Sequence, residues 1–184
     1  MDFAYDHPWF SVEEYFGIEE SSNIRHEYFR GNIYAMVGAS FNHNRITRNF
    51  SIVFQRFLNC ETFTSDLKVE AADDTYFYPD VVMACGKIIE GSKPNTLKNP
   101  SCIIEVLSPS TALYDKNKKA KVYKNIPTLE YYLLADQDKV EIEQHIRKDV
   151  GWLVRTYTNI NSFITLYNKK IKLSSIYKNV ALQV

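Results

Sequence analysis

The sequence predicts an α/β fold built on a mixed central β-sheet that is flanked by helices. Two long stretches with helical spacing of apolar residues, at 40–59 and 110–126, are separated by runs rich in β-branched and aromatic residues. Several strand-like runs follow one another directly, which favours antiparallel pairs beside parallel ones. The 184 residues suffice for one domain with a hydrophobic core. We therefore expect a single domain over residues 1–184, with its core at about 10–170 and additional strands towards the C-terminus.

The elements of the first half are indicated by local signals. Ser11 followed by Glu14 has the pattern of a capping box, which predicts a short helix. The stretch "IRHEYFRGNIYAMVG" predicts a β-hairpin centred on Gly31. An amphipathic helix of about 18 residues follows, with Ser40 or Asn42 as its cap. Its apolar positions lie three and four residues apart: Ile46, Phe50, Val53, Phe54 and Phe57.

The remaining elements follow in the same way. The runs "TFTSDLKVEA", "TYFYPDVVMAC" and "SCIIEVLS" predict strands, and Pro109 ends the last of them. A second long helix is predicted from Ser110 or Thr111 up to Pro127. After it come four further strand-like runs: "LEYYLLAD", "KVEIEQHIR", "GWLVRTYT" and "FITLYN".

Charge is balanced overall and uneven along the chain. Residues 1–92 hold 7 Lys and Arg against 14 Asp and Glu, whereas residues 93–184 hold 15 against 8. The formal net charge is zero, which by itself favours neither nucleic acid nor a membrane as partner. The second half therefore carries any surface that binds a polyanion.

The cysteines and the N-terminus predict a cytoplasmic protein with reduced thiols. Cys60, Cys85 and Cys102 are odd in number, far apart and without C-x-x-C spacing, so neither a zinc site nor a disulfide is expected. The start "MDFAYDHPWF" lacks the basic and apolar parts of a signal peptide. No apolar run approaches the ~20 residues that span a bilayer.

Two carboxylates interrupt otherwise apolar strands. Asp80 lies in "YFYPDVVMAC" and Glu105 in "SCIIEVLSPS". Glu105 shares its strand face with Ile103 and Leu107, because residues two apart lie on the same side. If the two strands are neighbours, both carboxylates emerge near one end of the sheet and repel each other unless a cation lies between them. Such a pair of oxygen ligands suits Mg²⁺ or Mn²⁺ better than zinc.

The second predicted helix carries five lysines within "KNKKAKVYK". Lys119 lies four residues after Asp115 and four before Tyr123, so these three side chains form one stripe. We expect this stripe to face the sheet and the other lysines to be solvated. Asp115 is interpreted as supporting the start of the helix through its dipole.

The chain resembles the Uma-two family, a family of proposed endonucleases formerly described as a domain of unknown function. The resemblance spans roughly residues 10 to 170. It rests on the ordered series "HEYFRGNIYAMVGAS", "HNRI", "YFYPDVVMA", "IIEVLSPST", "YDKNKKAKVY" and "IPTLEYYLLAD". It implies the restriction-endonuclease-like fold of the PD-(D/E)XK superfamily. The superfamily lysine two residues after the glutamate is replaced here by Leu107, and the matching lysine of the Uma-two pattern is Lys119.

The resemblance implies a site and a reaction. Asp80, Glu105 and the main-chain carbonyl of Val106 would bind Mg²⁺ or Mn²⁺, and Lys119 would orient a water molecule or offset transition-state charge. Two other family positions would assist: Glu27 as a further ligand or water-orienting group, and His43 as a phosphate contact or support to a ligand. Tyr123 is interpreted from the sequence as packing with its hydroxyl bonded near the site, where it would support a ligand or contact a phosphate. The implied function is hydrolysis of DNA. A homodimer is expected as well, because a single small site cuts one strand and a two-fold pair can address both.

Two other functions are compatible with the sequence. A nuclease fold that only binds nucleic acid or a protein is favoured by Leu107, and in it Glu105 and Lys119 would form a structural ion pair. A metal-dependent hydrolase of smaller phosphate compounds is favoured by the zero net charge, since duplex binding normally uses basic surfaces.

Overall fold

The computed structural model describes residues 9–36 and 38–182 of the chain. Its helical segments are α1 (Val12–Ser21), α2 (Phe41–Phe54), α3 (Ala112–Tyr114), a π-helical segment (Asp115–Lys119), α4 (Ala120–Tyr123) and α5 (Leu173–Ile176). Its strands are β1 (His26–Phe29), β2 (Asn32–Ala35), β3 (Cys60–Thr64), β4 (Lys68–Ala72), β5 (Thr75–Phe77), β6 (Val81–Cys85), β7 (Thr96–Leu97), β8 (Cys102–Leu107), β9 (Tyr131–Asp136), β10 (Ile142–Arg147), β11 (Trp152–Tyr157), β12 (Phe163–Leu166) and β13 (Lys169–Lys172).

A six-stranded mixed sheet is the centre of the fold. Its strand order is β11-β10-β9-β8-β6-β3, in which β8 and β9 are parallel and the other neighbours antiparallel. A five-stranded sheet has the order β2-β1-β5-β4-β7, and β12 pairs with β13. The predicted α/β class with a mixed sheet and additional C-terminal strands is confirmed.

The two faces of the six-stranded sheet are covered differently. One face packs against α2, α5 and the β12–β13 hairpin in a core that includes Phe50 and Ile104. The other face packs against α4 and the five-stranded sheet, in a core that includes Val69, Ile103 and Tyr123. Alternate residues of β8 thus enter opposite cores, as the pleat of a strand requires.

Local signals set the first elements. The Ser11 hydroxyl accepts from the Glu14 amide and the Glu14 carboxylate accepts from the Ser11 amide, so the predicted capping box is confirmed. Gly31 has φ +84° in the predicted hairpin, a conformation that favours glycine. Ser40 caps α2, but α2 has 14 residues rather than about 18. Beyond Phe54 the chain forms a tighter turn, in which the Phe57 amide bonds the Phe54 carbonyl.

Two runs that the sequence predicts as single strands are each divided in two. "TFTSDLKVEA" breaks near Ser65, which has φ +42°, and "TYFYPDVVMAC" breaks around Pro79. The two parts of each run belong to different sheets: β3 and β6 to the six-stranded sheet, β4 and β5 to the five-stranded one. Asp80 therefore lies where the chain crosses from one sheet to the other.

The expectation of three reduced cysteines is wrong. A disulfide joins Cys60 to Cys85, and only Cys102 is a buried free thiol. The two bonded cysteines lie directly opposite each other on the antiparallel strands β3 and β6. Their spacing in sequence gave no signal, because the pairing depends on the register between strands.

The disulfide gives a test of stability. The double variant Cys60→Ala/Cys85→Ala should lose about 3 kcal/mol of unfolding free energy, because the bond closes a loop with a sequence separation of 25 in the unfolded chain. Urea unfolding with and without a thiol reductant measures the loss. The reductant should lower the wild-type midpoint and leave that of the double variant unchanged. Equal wild-type midpoints under both conditions would contradict the prediction.

Candidate active site

Asp80 and Glu105 lie beside each other because β6 and β8 are antiparallel neighbours. Val81, the first residue of β6, pairs with Ile104 of β8. The Asp80 amide donates to Glu105 Oε2 over 3.4 Å, and Asp80 Oδ2 accepts from the Val106 amide over 2.7 Å. The predicted adjacency of the two strands is therefore present, with both carboxylates at one end of the sheet.

Lys119 connects three carboxylates that come from three parts of the chain. Its Nζ lies 2.7 Å from Glu27 Oε1, 3.1 Å from Glu105 Oε1 and 3.6 Å from Asp115 Oδ1. The Lys119 side chain is only 7% exposed, and the three acids are similarly buried. Three acceptors surround the ammonium, which has three N–H donors. The buried group is thus an ion cluster with more carboxylates than cations.

The π-helical segment Asp115–Lys119 forms one wall of this cluster. Asp115, Lys119 and Tyr123 are all buried, so the predicted stripe faces the sheet. The Tyr123 hydroxyl donates to Glu105 Oε1 over 3.1 Å, and the Tyr132 hydroxyl donates to the Asp115 carbonyl over 3.0 Å. π-helical turns are uncommon and often occur at functional sites.

Glu27 reaches the cluster from the five-stranded sheet. It lies on β1, and its Oε1 accepts from the Tyr78 amide over 3.0 Å as well as from Lys119. Tyr78 is two residues before Asp80, so this bond also ties β1 to the break that positions Asp80. Glu27 thereby joins the two sheets at the site.

His43 lies at the outer side of the site. Its Nε2 is 3.2 Å from Asp80 Oδ2, and the side chains of both residues are 15% exposed. His43 is in the first turn of α2, where Ser40 accepts a hydrogen bond from its amide. Among the acids of the site, Asp80 is the most exposed, which makes this the open side of the site.

The electrostatics of the cluster oppose full ionisation of its acids. Burial raises the pKa of Glu105 well above its usual value against the lowering effect of Lys119, and the charges of Asp115, Asp80 and Glu27 raise it further. Burial also raises the pKa values of Glu27 and Asp115. Burial alone lowers the pKa of Lys119, but Glu105 and Glu27 outweigh it and raise that pKa well above normal. The Lys119 ammonium therefore stays charged, but its single positive charge does not balance the carboxylates around it.

The predicted site residues are brought together, with two differences of detail. It is the Val106 amide that hydrogen-bonds to Asp80, whereas the carbonyl of that residue is the predicted ligand. Within residues 9–36 and 38–182, no group of three or more His, Cys, Asp or Glu side chains is placed so that it could hold a metal ion. Asp80 Oδ1 accepts no hydrogen bond from any residue in these ranges, which leaves an oxygen available at the open side.

Asp115 lies on the predicted stripe and is 4% exposed inside the ion cluster, where the helix-dipole role expected for it did not include its contact with Lys119. Its spacing of four residues from Lys119 was the signal, since that spacing puts both side chains on one face. Tyr114 was not singled out at all, and its ring centre lies 6.0 Å from Lys119 Nζ.

A family model for Uma2, described as "Putative restriction endonuclease", matches residues 12–168. The chain belongs to the Uma2 family. Two relatives, both from Synechocystis sp., share similar sequences along most of their length. The uncharacterized protein slr1290 is 39% identical over 155 residues, which is 82% of this chain and 81% of that protein. The uncharacterized protein sll1609 is 38% identical over 169 residues, or 88% and 94% of the two chains.

A solved structure supports the fold of the Uma2 chain. It is a crystal structure from Anabaena variabilis described as a putative nuclease belonging to DUF820. The likeness has a TM-score of 0.75 and covers 91% of this chain and 97% of that one, at 14% identity. At this identity the likeness concerns the fold, which is the nuclease-type fold that the sequence predicts. No helix in the described part of the chain is long and apolar enough to cross a membrane.

Proposed function

We propose that this Uma2 protein is a Mg²⁺-dependent endonuclease that hydrolyses DNA phosphodiester bonds at the site formed by Asp80, Glu105, Glu27 and Lys119. The family match supports a nuclease as the general class. The observation that carries the proposal is the charge of the buried cluster. Glu27, Glu105 and Asp115 surround one ammonium, and Asp80 adds a further carboxylate next to Glu105. Buried charges of one sign are costly unless a counter-charge accompanies them.

The residues present fit a divalent cation on chemical grounds. Carboxylate oxygens are the ligands that Mg²⁺ and Mn²⁺ prefer, and Asp80 with Glu105 would hold the ion at the open side of the cluster. The Val106 carbonyl and Glu27 remain candidate ligands. When bound, the ion would supply polarisation of a phosphoryl oxygen and a more acidic water.

The chain's own groups have distinct tasks in this proposal. His43 lies against Asp80 on the exposed side, where it can hold Asp80 in place or contact a phosphate oxygen. Lys119 keeps Glu27 and Glu105 together and supplies positive charge behind the reacting centre. Tyr123 fixes Glu105 through its hydroxyl. In this proposal Lys119 takes the role of the superfamily lysine, whose usual position is occupied here by Leu107.

The proposal includes a homodimer. One small site cuts one strand, whereas a two-fold pair of sites can address both strands of a duplex. Because the net charge is zero, any electrostatic attraction to DNA comes from basic surface in the second half of the chain.

A second candidate is a nuclease fold that binds without cutting. The observation in its favour is that Lys119 has three carboxylate neighbours, two of which lie within hydrogen-bond distance of its ammonium. In such a protein the cluster would be a structural ion network. If such a protein binds a metal ion, we expect no cleavage to follow.

Calorimetric titration with Mn²⁺ tests the proposal. The wild type should bind saturably, and Asp80→Asn should lose at least about a hundredfold in affinity, because a charged oxygen ligand is removed while volume is kept. Asp149→Asn, at an exposed position, is the matched control and should bind like the wild type.

The same preparations are then incubated with plasmid DNA and Mn²⁺. Metal-dependent cleavage that Asp80→Asn loses supports the nuclease. Saturable metal binding without cleavage supports the binding module. Absence of metal binding by the wild type, with and without DNA, would overturn the metal site.

A further inference from the structure

A group of aromatic rings continues from the candidate active site towards the surface. Tyr34 pairs directly with Glu27 across the β1–β2 hairpin, so the two side chains lie on the same face. Phe29 follows Glu27 by two residues and shares that face as well. Phe29 and Tyr34 are both half-buried. The face that delivers Glu27 to the ion cluster therefore presents two rings next to it.

The helical wall contributes a third ring. The Tyr114 ring centre lies 5.8 Å from that of Tyr34, and 6.0 Å from the ammonium of Lys119. The Tyr114 hydroxyl is buried and accepts or donates no hydrogen bond among the residues that the structure describes. Tyr114 thus bridges the buried site and the half-buried rings, with a polar atom that has no partner there.

An exposed cation lies over the same rings. Lys118 Nζ is 5.5 Å from the ring centre of Phe29, 5.9 Å from that of Tyr34 and 5.6 Å from that of Tyr114. Lys118 is exposed, and within the described ranges no carboxylate pairs with it. Its neighbour Lys119, by contrast, is enclosed by acids. Lys118 is therefore a cation beside the site that is available to an external anion.

Half-buried rings and an exposed ammonium within 6 Å of their centres suit one class of ligand. A nucleotide presents a flat base, which stacks on aromatic side chains, and a phosphate, which attracts a lysine. Phosphates near the acids of the cluster are repelled, so an adjacent cation is needed to hold the strand. A small aliphatic phosphate offers nothing for the rings.

We propose that Phe29, Tyr34, Tyr114 and Lys118 form a binding site for an unpaired nucleotide next to the scissile phosphate. A base inside a duplex has both faces covered by its neighbours, so a ring stacks on it only after it leaves the stack. The inference rests on the proposed nuclease function and specifies its substrate class. The preferred substrate is a single strand, or a duplex with an unpaired end or flap.

The test is binding without cleavage. Fluorescence anisotropy in the presence of a chelator compares a labelled thymidine dodecamer with a labelled duplex of similar length. The wild type should bind the single strand more tightly than the duplex. Tyr34→Ala should weaken single-strand binding about tenfold, the scale of one lost base stack. Lys118→Ala should also weaken it, because a contact to phosphate is lost. Tyr34→Phe keeps the ring and should bind like the wild type.

Lys170→Ala is the matched charge control. Lys170 is exposed on β13, and the β12–β13 hairpin packs on the opposite face of the six-stranded sheet from the ion cluster. Its removal should leave binding unchanged. Thermal unfolding of every variant separates loss of binding from loss of fold, and Lys118→Ala provides the answer if Tyr34→Ala does not fold.

The outcomes separate this site from the catalytic proposal. Weaker binding by both alanine variants with normal Tyr34→Phe binding supports the nucleotide site, whether or not the wild type cleaves DNA. Wild-type cleavage with unchanged binding by Tyr34→Ala and Lys118→Ala overturns the nucleotide site and leaves the nuclease intact. Tighter binding of the duplex, or no binding of the single strand, also overturns it.

Discussion

Lys119→Met should lower the free energy of unfolding by about 3–5 kcal/mol, the scale of breaking a buried ion pair. The substitution leaves Glu27, Glu105 and Asp115 buried without the ammonium that all three contact. Methionine fills much of the space, so the loss reflects charge rather than a cavity. The acids then either remain ionised at high cost or take up protons on folding. Urea unfolding at neutral pH measures the change.

The control for this variant is Lys116→Met. Lys116 is exposed on the same π-helical segment, and the same substitution there should change the unfolding free energy by less than about 0.5 kcal/mol. The double variant Lys119→Met/Glu105→Gln should recover part of the loss, because one of the three unpaired acids is neutralised. A Lys119→Met protein as stable as the wild type would show that the cluster is not an ionised network.

Much of the fold follows from signals that are local in the chain. The capping box at Ser11 and the cap at Ser40 involve residues three apart, and the hairpin turns through two adjacent residues with positive φ, Arg30 and Gly31. The faces of β8 follow from the pleat alone. Such features depend on neighbours in sequence, so a pattern reveals them.

The features that could not be predicted depend on how distant segments meet. The Cys60–Cys85 bond requires the register of β3 on β6. Division of "TYFYPDVVMAC" between two sheets depends on which strands lie next to β5 and β6. The π-helical segment has nearly the same side-chain pattern as an α-helix over five residues, so periodicity does not distinguish the two.

The candidate site shows the same division. Asp80 and Glu105 were found from their unusual setting in apolar strands, which is a local observation. The enclosure of Lys119 by Glu27 and Asp115 is a property of the assembled fold, since Glu27 arrives from the other sheet. Consequently the sequence indicated which residues to consider, whereas the excess of carboxylates over cations became visible only in the structure.

That excess separates two roles that a buried ion cluster can have. A network selected for stability balances its charges, because each uncompensated ion lowers stability. A cluster that binds a cation keeps surplus carboxylates and tolerates their cost in the free protein. Active sites often show this exchange of stability for function. Glu105 is the residue at which the two roles make opposite predictions, since it contacts both Lys119 and Asp80.

Glu105→Gln should therefore lose at least about a hundredfold in Mn²⁺ affinity and any cleavage activity, while its unfolding free energy stays within about 1 kcal/mol of the wild type or rises. The pKa of Glu105 is raised by burial, so its ionised form opposes folding at neutral pH and a neutral isostere removes that opposition. Calorimetric titration and urea unfolding give the two quantities from one preparation, with Glu61→Gln at an exposed position of β3 as control.

A loss of stability by Glu105→Gln comparable to that of Lys119→Met, with unchanged Mn²⁺ affinity, would make Glu105 and Lys119 a structural pair and support the binding module. Loss of metal affinity in a protein that remains as stable as the wild type would instead support the metal site. The carboxylate is then retained for the cation it binds, because the fold does not need its charge.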